Sequence, residues 1–227
     1  MINTLFIAIL TIFNYSSGKN TLDQLQGAWQ SDQGVIIFAG EYFSFTAFSP
    51  SEFNDTFGGS WKMDDNTLVY TYEYNTQNAE KVGSMEQLAL QIHEKSITIQ
   101  GMDYNRLDDG KPGALFGTWL FANRVTDGKL GTPRDADNPR KTMKILSGTR
   151  FQWIAFNTET KEFMGTGGGT YSTIDGKYTE NIDFFSRDNS RVGASLEFDY
   201  ELKGNEWHHK GLSSKGDPIY EIWNLRK

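Results

Sequence analysis

Two stretches of this chain repeat one another, and the repeat restricts the fold more than any other feature of the sequence. From Gly165 to Gly211 the residues run GTGGGTYSTIDGKYTENIDFFSRDNSRVGASLEFDYELKGNEWHHKG, and a weaker copy stands 110 residues earlier. There FGGSWKMDDNTLVYTYEY takes the place of GGGTYSTIDGKYTENIDFF, and VGSMEQLALQIHEKSITIQG that of VGASLEFDYELKGNEWHHKG. Each copy alternates apolar and polar residues in short runs broken by turn residues, the pattern of half-buried antiparallel strands. Asp175-Gly176 between two such runs is a strong hairpin signal, and Asp64-Asp65-Asn66 holds the same place in the first copy.

The match extends towards the N-terminus. Gly27-x-Trp29 aligns with Gly117-x-Trp119, and IIFAGEYFSFTAF (Ile36 to Phe48) with MKILSGTRFQWIAF (Met143 to Phe156), both alternating around a Gly-containing turn as half-buried antiparallel strands do. That alignment sets Gly40 on Gly148, Phe43 on Phe151 and Phe45 on Trp153. Each unit then holds about eight short strands, and the pattern allows a helix only at Thr21 to Leu25. A unit this small avoids exposed sheet edges best by closing on itself. The expected fold is all-β: two tandem antiparallel barrels of about eight strands, residues 19–110 and 111–227, with Asp108 to Gly113 (DDGKPG) as the linker.

Composition narrows the functional classes. A net charge of −7 leaves no basic surplus for a nucleic-acid backbone, so no nucleic-acid partner is expected. Leu5 to Phe13 is an apolar run of nine residues, too short for the roughly 20 that span a bilayer, and Ser16-Ser17-Gly18 follows it. Residues 1–18 therefore read as a signal peptide and the protein as secreted or periplasmic, with no membrane span. The absence of cysteine excludes a disulfide framework and a lipid anchor on Cys, so core burial must supply the stability.

The paired Gly-x-Trp starts, and GGGTY…GKYTENI…FFSRD followed by VGASLEF, resemble the secreted lipocalin-like domains of unknown function found in Bacteroidetes-type bacteria. The likeness is strongest over Phe116 to Lys227 and fainter over Leu22 to Leu107. It implies a calycin-type barrel whose first-strand Trp plugs the closed end, with no agreed activity.

Alternation sorts inward from outward residues. Leu196, Phe198, Tyr200 and Leu202 share a face with their counterparts Glu86, Leu88, Leu90 and Ile92, which marks that face as inward and Glu197, Asp199 and Glu201 as solvated. On neighbouring strands Tyr178, Glu180, Trp207 and His209 stand where the first unit has Leu68, Tyr70, Ile97 and Ile99. A buried carboxylate and imidazole need partners, and either a polar ligand in the second barrel or solvent at its rim would supply them.

The second unit also has 18 more residues between its first Trp and the following Phe. The extra segment, Arg124 to Lys141, is expected to lie over the mouth as a lid, with Arg124, Arg134 and Arg140 available to an anionic or sugar-like ligand, or to be surface-loop decoration. Gly167-Gly168-Gly169 is no phosphate loop, since no helix follows and no Lys-Ser/Thr closes it; close strand packing or a bulge accounts for it. His208 and His209 face opposite ways on a strand, so no metal and no cofactor is expected.

Three functions remain. The first is a non-catalytic binding protein holding a small amphipathic or sugar-like molecule in the second barrel, with Arg150, Trp153, Tyr178, Glu180, Arg187, Trp207 and His209 as the ligand-binding set. The first barrel, oilier inside, would then be a filled scaffold. The second is an enzyme on an extracellular glycan or lipid fragment, with Glu180 and His209 as acid and base. The third is a module that docks a partner protein through exposed aromatics.

Overall fold

A computed structural model describes residues 21–227 apart from 51, 214 and 215. The proposed signal segment lies outside the described residues. A short helix α1 (Thr21–Leu25) precedes β1 (Gly27–Ser31), β2 (Gly34–Ala39), β3 (Tyr42–Ser49), β4 (Glu52–Asp64), β5 (Thr67–Asn75), β6 (Met85–Ile92), β7 (Ser96–Ile99) and β8 (Met102–Asp108). Each strand pairs antiparallel with the next, and β8 returns to β1 to close the barrel. The second unit repeats this with β9 (Gly117–Thr126), β11 (Arg140–Leu146), β12 (Arg150–Asn157), β13 (Phe163–Ile174), β14 (Lys177–Phe185), β15 (Ser195–Lys203), β16 (Glu206–Leu212) and β17 (Pro218–Leu225). There β17 closes onto β9, and the two-residue β10 (Lys129–Leu130) adds only a hairpin to the end of β9. The protein is thus all-β, built of two closed eight-stranded antiparallel barrels. Among the described residues no helix is long and apolar enough to cross a membrane.

The repeat is carried down to single hydrogen bonds. Trp29 Nε1 donates to Leu25 O and Trp119 Nε1 to Leu115 O, both at 2.9 Å, so each indole plugs its barrel at the end where the chain enters. One 3-10 turn follows β5 (Ala79–Lys81) and another follows β14 (Asn189–Arg191). The amides of Glu80 and Ser190, the second residue of each turn, are capped by the side chains of Asn78 and Asp188.

The glycine pairs mark a bulge, again in both units. Ladder register slips between Gly58 and Gly59 and between Gly168 and Gly169, with Glu73 and Asp183 as the extra residues on the partner strands. An added Cβ would stand 2.4 Å from Phe43 O at Gly58 and 2.5 Å from Phe151 O at Gly168, so only glycine fits. The bulge also reverses the faces beyond it. Tyr72 and Ile182 point into their lumens, whereas Tyr74 and Phe184, two residues on, leave them for the contact between the barrels.

That contact corrects the reading of β2 as half-buried. All its residues from Val35 to Ala39 are buried, because Ile36 and Phe38 fill the first lumen while Val35, Ile37 and Ala39 face the second barrel. Met143 and Ile145 of β11 and Ile154 and Phe156 of β12 meet them. A strand covered on both sides reads as a continuous apolar run, which explains VIIF. Gln152, 2% exposed, satisfies the polar groups within this seam. Its Oε1 accepts from Ser44 and from Thr46 Oγ1 (2.9 Å), and its Nε2 donates to Thr56 Oγ1 and Thr166 Oγ1, both at 3.0 Å.

Two further ties join the units. Asp108, at the end of β8, accepts from the amides of Gly110 and Gly148 and from the hydroxyls of Ser147 and Thr149, at 2.7–2.9 Å. Arg226, just past β17, binds both carboxylate oxygens of Glu73 and lies 3.9 Å over the ring of Tyr42.

Candidate functional site

Inside the second barrel, positions that hold oil in the first barrel hold ionisable groups. Lys144 of β11 pairs in register with Trp119, as Ile36 does with Trp29, so its side chain enters the lumen. Its ammonium lies 2.7 Å from Glu180 Oε1, where Tyr178 OH also donates at 2.8 Å. Aromatic rings surround the ammonium: Trp207 at 4.9 Å, Tyr178 at 5.1 Å and Trp223 at 5.3 Å to the centroids. Ring faces and a carboxylate together replace the water this cation has lost. Burial, reinforced by the Glu180 carboxylate, drives the Tyr178 phenol far above its ordinary value, so it remains a donor.

A second chain of charge lies beside the first. His209 Nδ1 is 3.5 Å from Glu221 Oε2, within Coulombic reach but without a hydrogen bond, and Glu221 Oε1 receives Arg124 Nη2 at 2.6 Å. By register these positions match Ile99 and Met102 of the first barrel. Burial pushes the His209 imidazole below its usual value and nearby Lys144 adds to this, with Glu221 opposing. Burial disfavours the charge on Glu221, yet His209, Lys144 and Arg124 hold its carboxyl down at about 2. Both ring nitrogens of His209 and the indole nitrogens of Trp207 and Trp223 lack hydrogen-bond partners, although all are buried. A neutral imidazole carries one donor and one acceptor, so three donors and one acceptor cluster here, which water or a ligand group would satisfy.

The mouth of this barrel is open. A cavity of about 200 Å³ lies there, walled by Trp153, Phe185, Leu196, Phe198 and Ile219 and bounded by Glu180 and Arg191. Of the expected ligand-binding set, Trp153 and Glu180 border this space, while Tyr178, Trp207 and His209 pack together deeper in the lumen. Arg150 and Arg187 stand apart from it. Arg150 points outward and pairs with the bulge residue Asp183 at 2.6 Å. Arg187 folds back on Met164 O across Gly165, where a side chain would collide with its guanidinium. Glu180 and His209 are each paired elsewhere, with Lys144 and Glu221, so the proposed acid–base couple is not a directly bonded pair.

Of the two readings of the long loop, the structure fits surface decoration and not a lid. It leaves β9, turns back through β10, and runs along the outside of the barrel, with Gly131 N bonded to Arg124 O and Arg134 N to Ala122 O. None of its residues borders the mouth cavity. Asn123, buried in β9, holds it there by donating to Gly131 O at 3.1 Å.

The first barrel is not the filled scaffold expected. A cavity of about 250 Å³ opens at its mouth among Phe43, Phe45, Phe57, Leu88 and Met102. Tyr70 and Tyr72 both donate to Glu86 Oε2, with Lys81 Nζ 3.5 Å from it. Aliphatic counterparts at Ile36, Ile99 and Met102 leave the space that Lys144, His209 and Glu221 fill in the second barrel.

Sequence reasoning missed Lys144 and Glu221. Lysine is discounted as an interior residue by default. Yet the alignment that sets Gly40 on Gly148 also sets Ile36 on Lys144, so the signal was present. Glu221 could be found only through the pairing of β16 with β17. No model of a known protein family matches the chain, and no curated protein matches its sequence.

Proposed function

We propose that this is an exported, lipocalin-like binding protein whose second barrel holds a small amphipathic or sugar-like molecule at its mouth. The observation that carries this reading is the cavity of about 200 Å³ in which an aromatic and aliphatic wall meets the buried carboxylate of Glu180. Apolar walls with one or two fixed polar groups are what small-ligand pockets consist of, and a volume below roughly 300 Å³ selects a small ligand. Lys144 and Tyr178 hold Glu180 in one orientation, so the acceptor is preorganised. The test is a titration of monosaccharides and short amphiphiles followed by tryptophan emission. Leu196→Trp, which fills the cavity, abolishes a saturable response and leaves the far-UV spectrum unchanged. A response that persists in Leu196→Trp, or no saturable response from any compound, overturns the reading. Export is tested separately, by mass spectrometry of the mature protein for cleavage after Gly18.

A second reading rests on the larger, oilier cavity of the first barrel, which suits an uncharged apolar ligand. Binding of 1-decanol that Leu88→Trp removes and Leu196→Trp spares would place the ligand there instead.

A further inference from the structure

In running along the outer wall, the 124–141 loop builds a second concavity, of about 260 Å³, against the end of β17 and Tyr42 of the first barrel. Its charged lining is Arg134, Arg140, Lys141, Arg226 and Lys227 against Asp135 and Asp137, five cations to two anions in a chain whose net charge is −7. Glu73, bound to Arg226, reduces the surplus without removing it.

Three of the cations are held by neutral groups. Arg134 lies over the Phe121 ring at 4.7 Å. Arg140 Nη1 donates to Thr142 Oγ1 at 2.6 Å, and Lys141 Nζ to the carbonyls of Ala136 and Asn138 at 2.6 and 3.0 Å. Among the described residues no carboxylate lies within ion-pair distance of Arg134, Arg140 or Lys141. Asp135 spends Oδ1 on the Asp137 amide at 2.9 Å, closing the turn. Burial lowers the Arg140 pKa, and the charges of Arg134 and Arg187 lower it further. Lys141 is lowered by burial and then by Arg226. The carboxylates of Glu162, Glu73, Asp135 and Asp137 oppose these shifts from a distance, yet none forms an ion pair with the three cations, so the surplus is only partly compensated.

We propose that this groove binds a doubly charged oxyanion, a phosphate or sulfate group, through Arg134, Arg140 and Lys141. Guanidinium forks match two oxygens of a tetrahedral anion, and a lysine adds a point charge. The anion would tie the loop to the start of β11, on the barrel's outer wall. The site therefore does not depend on what the second lumen holds.

The experiment is calorimetric titration of the whole protein with inorganic phosphate and with glucose 6-phosphate, at constant ionic strength. Saturable one-to-one binding is expected, at least tenfold weaker in Arg134→Gln/Arg140→Gln and unchanged in Lys62→Gln, which removes an exposed charge outside the groove. Tighter binding of the sugar phosphate would identify an ester as the ligand, and equal binding the free anion; both support the site. Without phosphate the double variant melts no lower than wild type, since mutual repulsion has been removed. Should it fail to fold, Arg134→Lys, which keeps the charge but loses the fork, is expected to weaken binding severalfold. Phosphate stabilises many proteins by exclusion from their surfaces, so an equal melting increase in wild type and variant counts against the site. No saturable heat, or binding unaltered by the substitutions, overturns it.

Discussion

Lys144 Nζ and Glu180 Oε1 lie 2.7 Å apart with both side chains 7% exposed, an ion pair sealed inside a β-barrel. Removing one partner strands the other. Lys144→Met leaves an uncompensated buried carboxylate and is expected to cost about 3–5 kcal/mol in urea unfolding. Lys144→Met/Glu180→Gln keeps an acceptor for Tyr178 and removes both charges, so it should fall within about 1–2 kcal/mol of wild type. Equal losses for the single and double variants would show that packing, and not charge, dominates at this position.

Acid should weaken the protein in two stages. The folded His209 value lies below its ordinary 6.5, with Lys144 raising the barrier to protonation and Glu221 and Glu180 lowering it. Below about pH 6.5 the unfolded chain therefore binds a proton that the folded chain resists, and stability falls. Glu221 sits at about 2 against an ordinary 4.5, so its contribution is present above pH 4.5 and is lost as pH drops through that window. His209→Gln should flatten the stability profile between pH 7 and 5 and leave a shallower decline below 4.5, since Lys144 and Arg124 still favour the Glu221 carboxylate. A variant profile parallel to wild type between pH 7 and 5 would remove His209 from the account.

Arg226 and Glu73 form a two-pronged pair across the barrels, with side chains 11% and 16% exposed. A double-mutant cycle with Arg226→Ala and Glu73→Ala should return a coupling of about 2 kcal/mol. A coupling near zero would mean that this ion pair adds nothing to the seam's apolar contacts and to the Gln152 and Asp108 hydrogen bonds.

Gly58→Ala and Gly168→Ala each drive a methyl into a backbone carbonyl, at 2.4 and 2.5 Å. Both should lower stability by roughly 1–3 kcal/mol, since backbone cannot yield as a side-chain tip can. Thermal unfolding of the two variants checks this, and a neutral result at either site would mean that the bulge there is free to move.

Much of the architecture was legible because duplication states each feature twice. The hairpin at Asp175-Gly176 and the inward face of Ile97 and Trp207 follow from local chemistry and period-two alternation, whereas a role for the paired Gly-x-Trp comes only from the resemblance. Alternation failed where the bulges reversed it, at Tyr74 and Phe184, because one extra residue exchanges the two faces. It failed again at β2, whose outer face is buried only because a second barrel lies against it. The candidate site was half legible. Glu180 and His209 stood out against Tyr70 and Ile99, whereas Lys144 was hidden by the ordinary preference of lysine for water. Arg150 and Arg187 point away from the lumen for reasons of register that composition does not carry.

Strand β11 serves both barrels at once. Lys144 projects into the second lumen, while its immediate neighbours Met143 and Ile145 are wedged against Val35, Ile37 and Ala39 of the first. In a pleated ribbon adjacent residues ride on one rigid backbone, and close-packed contacts tolerate little sliding. A molecule that draws Lys144 towards the mouth must therefore press on β2, whose opposite face lines the other barrel. A displacement of β11 would thus reach the neighbouring lumen through two walls in contact, its own and that of β2.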